Sequence, residues 1–308
     1  MALLKLIRFP NLVIVVLTQF LLYELLRQQL SFGAIELSLD HVHFSYLVFV
    51  TVLITAAGYI VNDILDLPTD LINRPNKIII TRRINKSTAY WLYFSCFLVG
   101  FIVSLYLAYH VQKMPLLGLF PLSFIGLYLY STTLKKLPLI GNLLIALYCA
   151  GVAAILLVAE QEGIQQLVNQ YPHHANYLRL VFYFYIIFAF LSTMFREIVK
   201  DIEDLDGDQQ SGCRTAPIIW GIKISKWIAG FFGLLLLAFV PLMIQQIPSI
   251  NQQIGIWTFV LLFIILPLLG AFYLLIISKD KKAYHRLSQL AKFIMLSGIL
   301  FLALILYL

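Results

Sequence analysis

Long apolar stretches recur along the chain from one end to the other, and short polar segments separate them. A helix that crosses the hydrocarbon core of a bilayer needs about 20 mostly apolar residues. The stretches that meet this length lie at roughly 10–28, 44–62, 88–111, 115–133, 139–158, 178–198, 222–246, 255–277 and 287–308. The pattern therefore predicts an all-α polytopic membrane protein with nine transmembrane helices, in which residues 1–308 form a single domain.

Composition supports a location in the lipid bilayer. Hydrophobic residues make up 61% of the chain and charged residues 12%, whereas a soluble domain has roughly 25% charged residues. Residues 1–30 lack the small-residue cleavage site of a signal peptide, so the apolar run after Pro10 is interpreted as the first span. Cys96, Cys149 and Cys213 are scattered without a CxxC pair, which favours neither a zinc site nor a disulfide framework.

The basic residues predict how the chain is oriented. If the N-terminus is cytoplasmic, every Lys and Arg except Arg27, Lys113 and Arg179 falls on the cytoplasmic side. This asymmetry is typical of inner-membrane proteins. It indicates that the basic residues behind the net charge of +7 face anionic lipid rather than nucleic acid. We expect a plasma-membrane protein without an obligate protein partner. The outer loops 29–43 and 159–177 are predicted to be solvated connections, and a metal site at His173 and His174 is the disfavoured alternative.

Two short segments hold nine of the 15 acidic residues. Each contains three aspartates at positions i, i+3 and i+7, which on a helix lie on one face. The two triplets are Asp63, Asp66 and Asp70, and Asp201, Asp204 and Asp208. Each triplet lies where a predicted span reaches the cytoplasmic surface, so we expect the two to face each other across a cavity.

Carboxylates stacked at the end of a membrane helix repel one another and are costly without a cation. Oxygen ligands without His or Cys suit Mg²⁺ or Ca²⁺ rather than zinc or copper. Mg²⁺ typically takes one or two carboxylates and completes its shell with water and substrate phosphate. We therefore predict that both triplets bind Mg²⁺ ions that clamp a diphosphate, with Asp63, Asp66, Asp201 and Asp204 as the catalytic ligands. Asp70 and Asp208 are predicted to join them. The alternative is that both segments are merely solvated acidic loops.

Polar and basic residues near the triplets are candidates for substrate binding. Cations neutralise the charge that grows on a leaving diphosphate, and an aromatic face stabilises a carbocation. The predicted substrate-binding residues are Asn11, Asn62, Arg74, Lys77, Tyr130, Lys135, Lys200 and Arg214. The alternatives are that the basic residues anchor the chain to lipid, that the asparagines end helices, and that the tyrosine is a core residue. Because Pro68 interrupts the first motif, Asp70 is expected to reach the metal from a loop, if it reaches it.

The motif NDxxDxxxD at Asn62–Asp70, followed by Asn73-Arg74-Pro75-Asn76-Lys77, resembles the UbiA superfamily of intramembrane prenyltransferases. The Asp201–Asp208 segment is the second point of resemblance, with Gly212, Thr215, Pro217 and Gly221 downstream. Weaker elements are Arg8-Phe9-Pro10-Asn11-Leu12, Tyr130-Ser131 before Lys135-Lys136, and Gly141-Asn142. The chain departs from the family pattern at Lys77, at Ile80-Thr81-Arg82-Arg83, and in the longer spacing from Tyr130 to Lys135.

The resemblance implies a helical bundle around a central cavity, with Mg²⁺ and the diphosphate at a polar cap and the prenyl tail running toward lipid. A lipophilic acceptor would attack the allylic cation that remains when diphosphate leaves. Residues 196–208 most resemble the digeranylgeranylglyceryl phosphate synthases, which alkylate a glycerol-phosphate ether lipid. The alternatives are prenylation of a benzoate or naphthoate quinone precursor, a relative that releases or cyclises the prenyl group, and a membrane transporter.

Overall fold

The computed structural model describes residues 1–73, 75–112 and 114–306, without the side chains of residue 77 and of residues 114–117. This part of the chain is helical and contains no β-strand. Its α-helices are α1 (Ala2–Leu6), α2 (Phe9–Phe32), α3 (His41–Leu65), α4 (Leu67–Asn73), α5 (Lys86–His110), α6 (Met114–Thr132), α7 (Ile140–Ala159), α8 (Gln161–Gln170), α9 (Pro172–Glu203), α10 (Leu205–Gln210), α11 (Ala216–Ile219), α12 (Gly221–Gln245), α13 (Pro248–Asn251), α14 (Ile254–Val260), α15 (Leu266–Ile277) and α16 (Lys281–Leu306).

Eight helical segments in the described ranges are long and apolar enough to cross a membrane, and they coincide with eight of the nine predicted spans. The remaining predicted span, the fourth, coincides with α6, whose apolar part Gly118–Thr132 is shorter. α14 and α15 form one span, Ile254–Ile277, joined by the π-helical turn Leu261–Ile265. This turn directly precedes Pro267, whose ring interferes with regular α-helical bonding. The protein is an integral membrane protein of the predicted all-α class.

α9 is the central helix of the bundle, and α7, α12 and α16 pack around it. It is longer than the predicted span 178–198, because the residues beyond both ends also pack against the bundle. Ala175 at one end, and Ile202 and Glu203 at the other, are buried. Tertiary packing, rather than the length of the apolar run, decides where a helix ends. The extension places Asp201 inside the last turn of the central helix.

The outer connection 159–177 is more ordered and more buried than the sequence predicted. It contains α8, and the side chain of Glu160 just before it is fully buried. The Glu160 carboxylate accepts hydrogen bonds from the main-chain N–H groups of Ser38 and Leu39, at 2.9 and 2.8 Å. These bonds satisfy the buried charge and tie the two outer loops together, so the prediction of a solvated connection was wrong here.

The two outer histidines that the sequence offered as a disfavoured metal site do not form one. The ring of His174 stacks on Phe32, and its Nδ1 lies 2.9 Å from the side-chain oxygen of Gln29. Within the described residues, no group of three or more His, Cys, Asp or Glu side chains lies close enough together to hold a metal ion.

Candidate active site

Both aspartate triplets are divided by a junction between a membrane span and a short helix. α3 ends at Leu65 and α4 begins at Leu67, so Asp66 caps the end of the span. α9 ends at Glu203 and α10 begins at Leu205, so Asp204 takes the same position in the second triplet. The break in the first triplet falls just before Pro68, which is tolerated in the first turn of α4, where its missing N–H costs little. Asp70 therefore lies on a helix, and the expectation that it lies on a loop was wrong.

The two short helices pack against each other and bring the triplets together. The Asn73 side chain on α4 donates to the main-chain carbonyl of Asp204 at 3.1 Å and accepts from the N–H of Gly207 at 3.2 Å. The Thr69 hydroxyl donates to that of Ser211 at 2.7 Å. Gly207 is required at this approach, because a Cβ there would lie 2.2 Å from the Asn73 amide nitrogen. Segments more than 130 residues apart in sequence therefore form one polar cap.

A cavity of about 670 Å³ opens between the triplets at this end of the bundle. All six predicted aspartates line it, together with five of the eight predicted substrate-binding residues. The predicted residues that line the cavity are Asn11, Asn62, Asp63, Asp66, Asp70, Tyr130, Lys135, Lys200, Asp201, Asp204 and Asp208. The structure thus brings together side chains from six helices, α2, α3, α4, α6, α9 and α10, and from the 3₁₀ turn Leu134–Lys136.

One other predicted substrate contact, Arg214, does not line this cavity. The Arg214 side chain is exposed and is not part of the lining, although its main-chain N–H donates to the carbonyl of Lys136 at 2.8 Å. Arg74 and the side chain of Lys77 lie outside the described residues. Their roles stay predictions.

The first triplet is held by basic and amide side chains. Asp63 pairs with Arg8 at 3.0 Å. Asp66 pairs with Lys135 and accepts from the Asn62 amide at 2.7 Å. Lys135 also donates to the Asn62 oxygen at 3.3 Å, so Asn62 joins the lysine and the aspartate in one network. These bonds fix the orientation of both carboxylates toward the cavity.

The described contacts of the second triplet are with an amide and a lysine. Asp201 accepts from the amide of the buried Asn142 at 2.9 Å, and Asp204 lies 3.9 Å from the Lys200 ammonium. Burial, together with the nearby carboxylate of Asp204, raises the pKa of Asp208 to about 7. A divalent cation would relieve this unfavourable placement of a carboxyl group beside another negative charge.

The cavity residues fit Mg²⁺. Its donors are carboxylate and amide oxygens from two facing helix ends, which are the ligands that this ion prefers. The one thiol in the lining, Cys213, is an unsuitable ligand, because burial raises its pKa and keeps it protonated. Mg²⁺ takes few protein ligands and keeps sites for water and phosphate, which agrees with carboxylates that line a wide cavity instead of closing around a point.

Sequence reasoning missed several residues of this site. Arg8 has φ of 50° at the junction of α1 and α2, and its guanidinium group lies 4.6 Å from the centre of the Tyr59 ring. Asn73 joins the triplets, and Asn142 supports Asp201. All but Tyr59 occur in segments that carry the family resemblance, which was the available signal. Their roles depend on contacts between distant segments, which the sequence does not display.

A membrane-embedded helical bundle whose acidic span ends face a polar cavity defines an intramembrane enzyme of the kind that handles phosphorylated substrates. The profile of the UbiA prenyltransferase family matches residues 32–306. The chain belongs to the UbiA prenyltransferase family and is a prenyltransferase, so the alternative of a transporter is set aside.

Three similar proteins illustrate the relationship. The digeranylgeranylglyceryl phosphate synthase of Methanobrevibacter smithii is 34% identical over 242 residues, which cover 77% of each chain. A solved structure concerned with digeranylgeranylglyceryl phosphate synthase in membranes is 23% identical, with a TM-score of 0.65 over 98% of this chain and 96% of that chain. A UbiA homologue from Archaeoglobus fulgidus bound to DMAPP and Mg²⁺ is 14% identical, with a TM-score of 0.53 over 98% and 99% of the chains. The two structures share the fold.

Proposed function

We propose that this enzyme transfers a geranylgeranyl group from geranylgeranyl diphosphate to the free hydroxyl group of geranylgeranylglyceryl phosphate in a Mg²⁺-dependent reaction. The observation that carries the proposal is the pair of aspartate-bearing helix ends that face each other across one cavity. The choice of acceptor is supported by the relative from M. smithii, which is named for this product. The Mg²⁺ requirement is supported by the donor set and by the ion bound to the A. fulgidus homologue.

In this proposal the two triplets hold the metal. Asp63, Asp66, Asp201 and Asp204 are the principal ligands, and Asp70 and Asp208 complete the set. When bound, Mg²⁺ would neutralise the charge on the diphosphate as it leaves.

The basic side chains contact the diphosphate oxygens. Lys135 and Lys200 reach the cavity from opposite sides, and Asn62 orients Lys135 by accepting one of its hydrogen bonds. Arg74, Lys77 and Arg214 are proposed as further diphosphate contacts. Such fixed cations favour the transition state because the charge on the leaving group increases there.

The covalent change is the exchange of one C–O bond for another. The bond between C1 of the prenyl group and the diphosphate oxygen breaks, and the acceptor hydroxyl oxygen forms an ether bond to C1. The hydroxyl proton passes to a cavity carboxylate. Tyr130, which lines the cavity, presents an aromatic ring that stabilises positive charge on the allylic carbons.

We further propose that the cavity faces the cytoplasm of a plasma membrane. The polar cap contains Lys5, Arg82 and Arg83 in addition to the residues described above, and it lies at the end of the bundle where Lys and Arg are concentrated. Such an excess marks the cytoplasmic side. A single cysteine introduced at the exposed Arg83 and labelled in oriented vesicles tests this orientation. We expect a membrane-impermeant reagent to react with it from the cytoplasmic side only. Reaction from the outer side only would contradict the proposed orientation.

The reaction itself is tested with purified protein, Mg²⁺, labelled geranylgeranyl diphosphate and a panel of acceptors. We expect transfer to geranylgeranylglyceryl phosphate, and loss of transfer when EDTA removes the metal. Transfer to hydroxybenzoate or dihydroxynaphthoate instead would assign the enzyme to quinone-precursor prenylation. Release of labelled geranylgeraniol or a cyclic product with every acceptor would show that the enzyme cleaves the diphosphate without transfer.

A further inference from the structure

A second polar group extends deeper into the bundle than Asp201 and Asp204, and the proposed metal sites do not use its Arg196 and Lys292. We call it the basic cluster: Arg8, Arg196 and Lys292, with the amide side chain of Asn11. Lys292 donates to the Asn11 oxygen at 3.1 Å. Arg8, Asn11 and Arg196 also line the cavity, so a molecule bound between the triplets would reach this cluster.

The depth of the basic cluster follows from the packing of α9 against α16. These helices run antiparallel, and their ends are joined where His285 Nδ1 lies 2.8 Å from the Glu203 carboxylate. Arg196 and Lys292 each lie seven residues from that contact in the direction of the membrane interior. Seven residues are two turns, or about 10 Å. Arg196 and Lys292 therefore lie about 10 Å deeper in the bundle than the Glu203–His285 contact, whereas Arg8 lies beside Asp63.

Positive charge prevails in the basic cluster. Arg8 is paired with Asp63, and Arg196 is paired with Glu197. Within the described residues, Lys292 has no carboxylate partner, and the charged groups that act on it are Arg196 and Arg8. A lysine inside a membrane span is costly unless a partner offsets its charge. The basic cluster with its two paired carboxylates therefore carries one positive charge more than negative charges, and a bound anion would balance it.

The hydrogen bonding of the basic cluster indicates the same absent group. Arg196 Nε–H is buried and has no acceptor in the described part of the protein. The Asn11 amide is held on both sides, because its nitrogen donates to the Tyr59 hydroxyl at 3.1 Å while its oxygen accepts from Lys292. An orphan buried donor next to a lysine without a counter-ion is the environment that an anionic oxygen would complete.

We propose that the basic cluster binds the phosphate monoester of the acceptor lipid, with Arg196 and Lys292 as its principal cations. This inference rests on the proposed function and names the site of the acceptor head group. The diphosphate and its metal occupy the polar cap, and the acceptor phosphate binds beside Arg196 and Lys292, deeper in the bundle than Asp201 and Asp204. The glycerol hydroxyl is only a few bonds from that phosphate, so it lies between the two anion sites, where C1 of the donor must be.

The test uses two substitutions that remove the charge, Lys292→Gln and Arg196→Gln, and the conservative Lys292→Arg. Lys282→Gln is the matched control, because Lys282 lies on the same helix and is exposed. Transfer is measured with geranylgeranylglyceryl phosphate and with geranylgeranylglycerol, which lacks the phosphate. We expect both charge-removing variants to raise the KM for the phosphorylated acceptor at least tenfold. The KM for geranylgeranyl diphosphate and the KM for the unphosphorylated acceptor should stay as in the wild type. Lys292→Arg should keep most of the wild-type preference for the phosphorylated acceptor, measured as the ratio of the two acceptor KM values.

An unchanged KM for the phosphorylated acceptor in both charge-removing variants would overturn the proposal. An equal rise in KM for both acceptors would also overturn it, because that result indicates a general loss of structure.

A binding measurement separates this inference from the proposed reaction. The change in Tm that geranylgeranylglyceryl phosphate causes is recorded without Mg²⁺ and without diphosphate. We expect a rise in Tm for the wild type and Lys282→Gln and none for Lys292→Gln. If this pattern holds while no transfer occurs with any acceptor, the proposed function fails and the anion site stands. If the wild type shows no rise with the phosphorylated lipid, the anion site fails.

Discussion

The side chain of Asn73 donates a hydrogen bond to the main-chain carbonyl of Asp204, and so the first acidic segment supports the backbone of the second. Asp204 ends a membrane span, where the last carbonyl groups lack partners within the helix. The Asp204 carbonyl accepts this bond in addition to one from the Asp208 main-chain N–H at 3.1 Å. Lys281, at the start of α16, donates to the Asn73 oxygen at 3.1 Å, so a third segment steadies the same point. The positions of the carboxylates proposed to bind the metal thus depend on the side chain of Asn73, which joins the two acidic segments.

Gly207→Ala should disturb this contact without removing any polar group. The added methyl group would lie 2.2–2.6 Å from the Asn73 amide atoms, so α10 must move away from α4. We expect a loss of about 1–3 kcal/mol in stability, as for other overpacked sites, and a lower transfer rate. Thermal unfolding in detergent and a transfer assay measure the two effects. Gly151→Ala is the control, because nothing lies within 4 Å of its added carbon; an equally mild effect in both variants would refute the structural role of Gly207.

The metal sites are tested by Asp66→Asn and Asp204→Asn, which keep side-chain size and remove charge. Each substitution takes away a negative oxygen donor from one triplet, so we expect transfer to fall roughly a hundredfold or more. The Mg²⁺ concentration for half-maximal activity should rise, while the Tm without metal should not fall. Asp206→Asn is the matched control in the second acidic segment, because Asp206 is exposed. Near-normal activity and Mg²⁺ dependence in both active-site variants would exclude the proposed metal sites.

Lys135 and Lys136 are neighbours with different environments, and this makes a direct comparison possible. Lys135 bonds to Asp66 and Asn62, whereas Lys136 is exposed. Hydrogen bonds to charged groups contribute about 1.5–3 kcal/mol, so Lys135→Met should reduce kcat/KM for geranylgeranyl diphosphate roughly ten- to hundredfold. Lys136→Met should leave it nearly unchanged. Steady-state kinetics at saturating Mg²⁺ provide the comparison, and similar values for the two variants would argue against a diphosphate contact by Lys135.

Much of the fold and part of the site were predictable from the sequence, for identifiable physical reasons. Length and hydropathy determine which segments cross lipid, and the repeated Asp spacing predicted two helix ends that the structure brings to one cavity. The helix junction at Asp66 was only partly predictable: Pro68 indicated a break, but not that a new helix begins there. Asn142 was noticed only because Gly141-Asn142 belongs to the family pattern. Its role as a partner of Asp201 was not predictable, because the bond joins segments 59 positions apart. Glu160 was misjudged, since its burial depends on main-chain N–H groups from another loop.

Glu160 provides a pH prediction at the opposite end of the bundle from the aspartates. Burial raises the pKa of its carboxyl group above the ordinary value of 4.5, and the hydrogen bonds from Ser38 and Leu39 offset this only in part. The folded state therefore holds this proton more tightly than the unfolded state does. By linkage, stability is greatest below the ordinary value and falls as pH rises from it through the folded pKa.

Substitution by glutamine separates this titration from the rest of the protein. Glu160→Gln cannot ionise and keeps one of its two acceptor oxygens, so it should be less stable than the wild type in acid. As pH rises above about 4.5, the difference in Tm should narrow, because only the wild type loses stability by this route. Glu36→Gln, which lies in the loop that contains Ser38 and Leu39 and is exposed, should follow the wild-type curve. Thermal unfolding without Mg²⁺ between pH 4 and pH 8 measures all three proteins; a gap between wild type and Glu160→Gln that widens with rising pH would mean that the folded pKa is lowered, and that the two N–H groups outweigh burial.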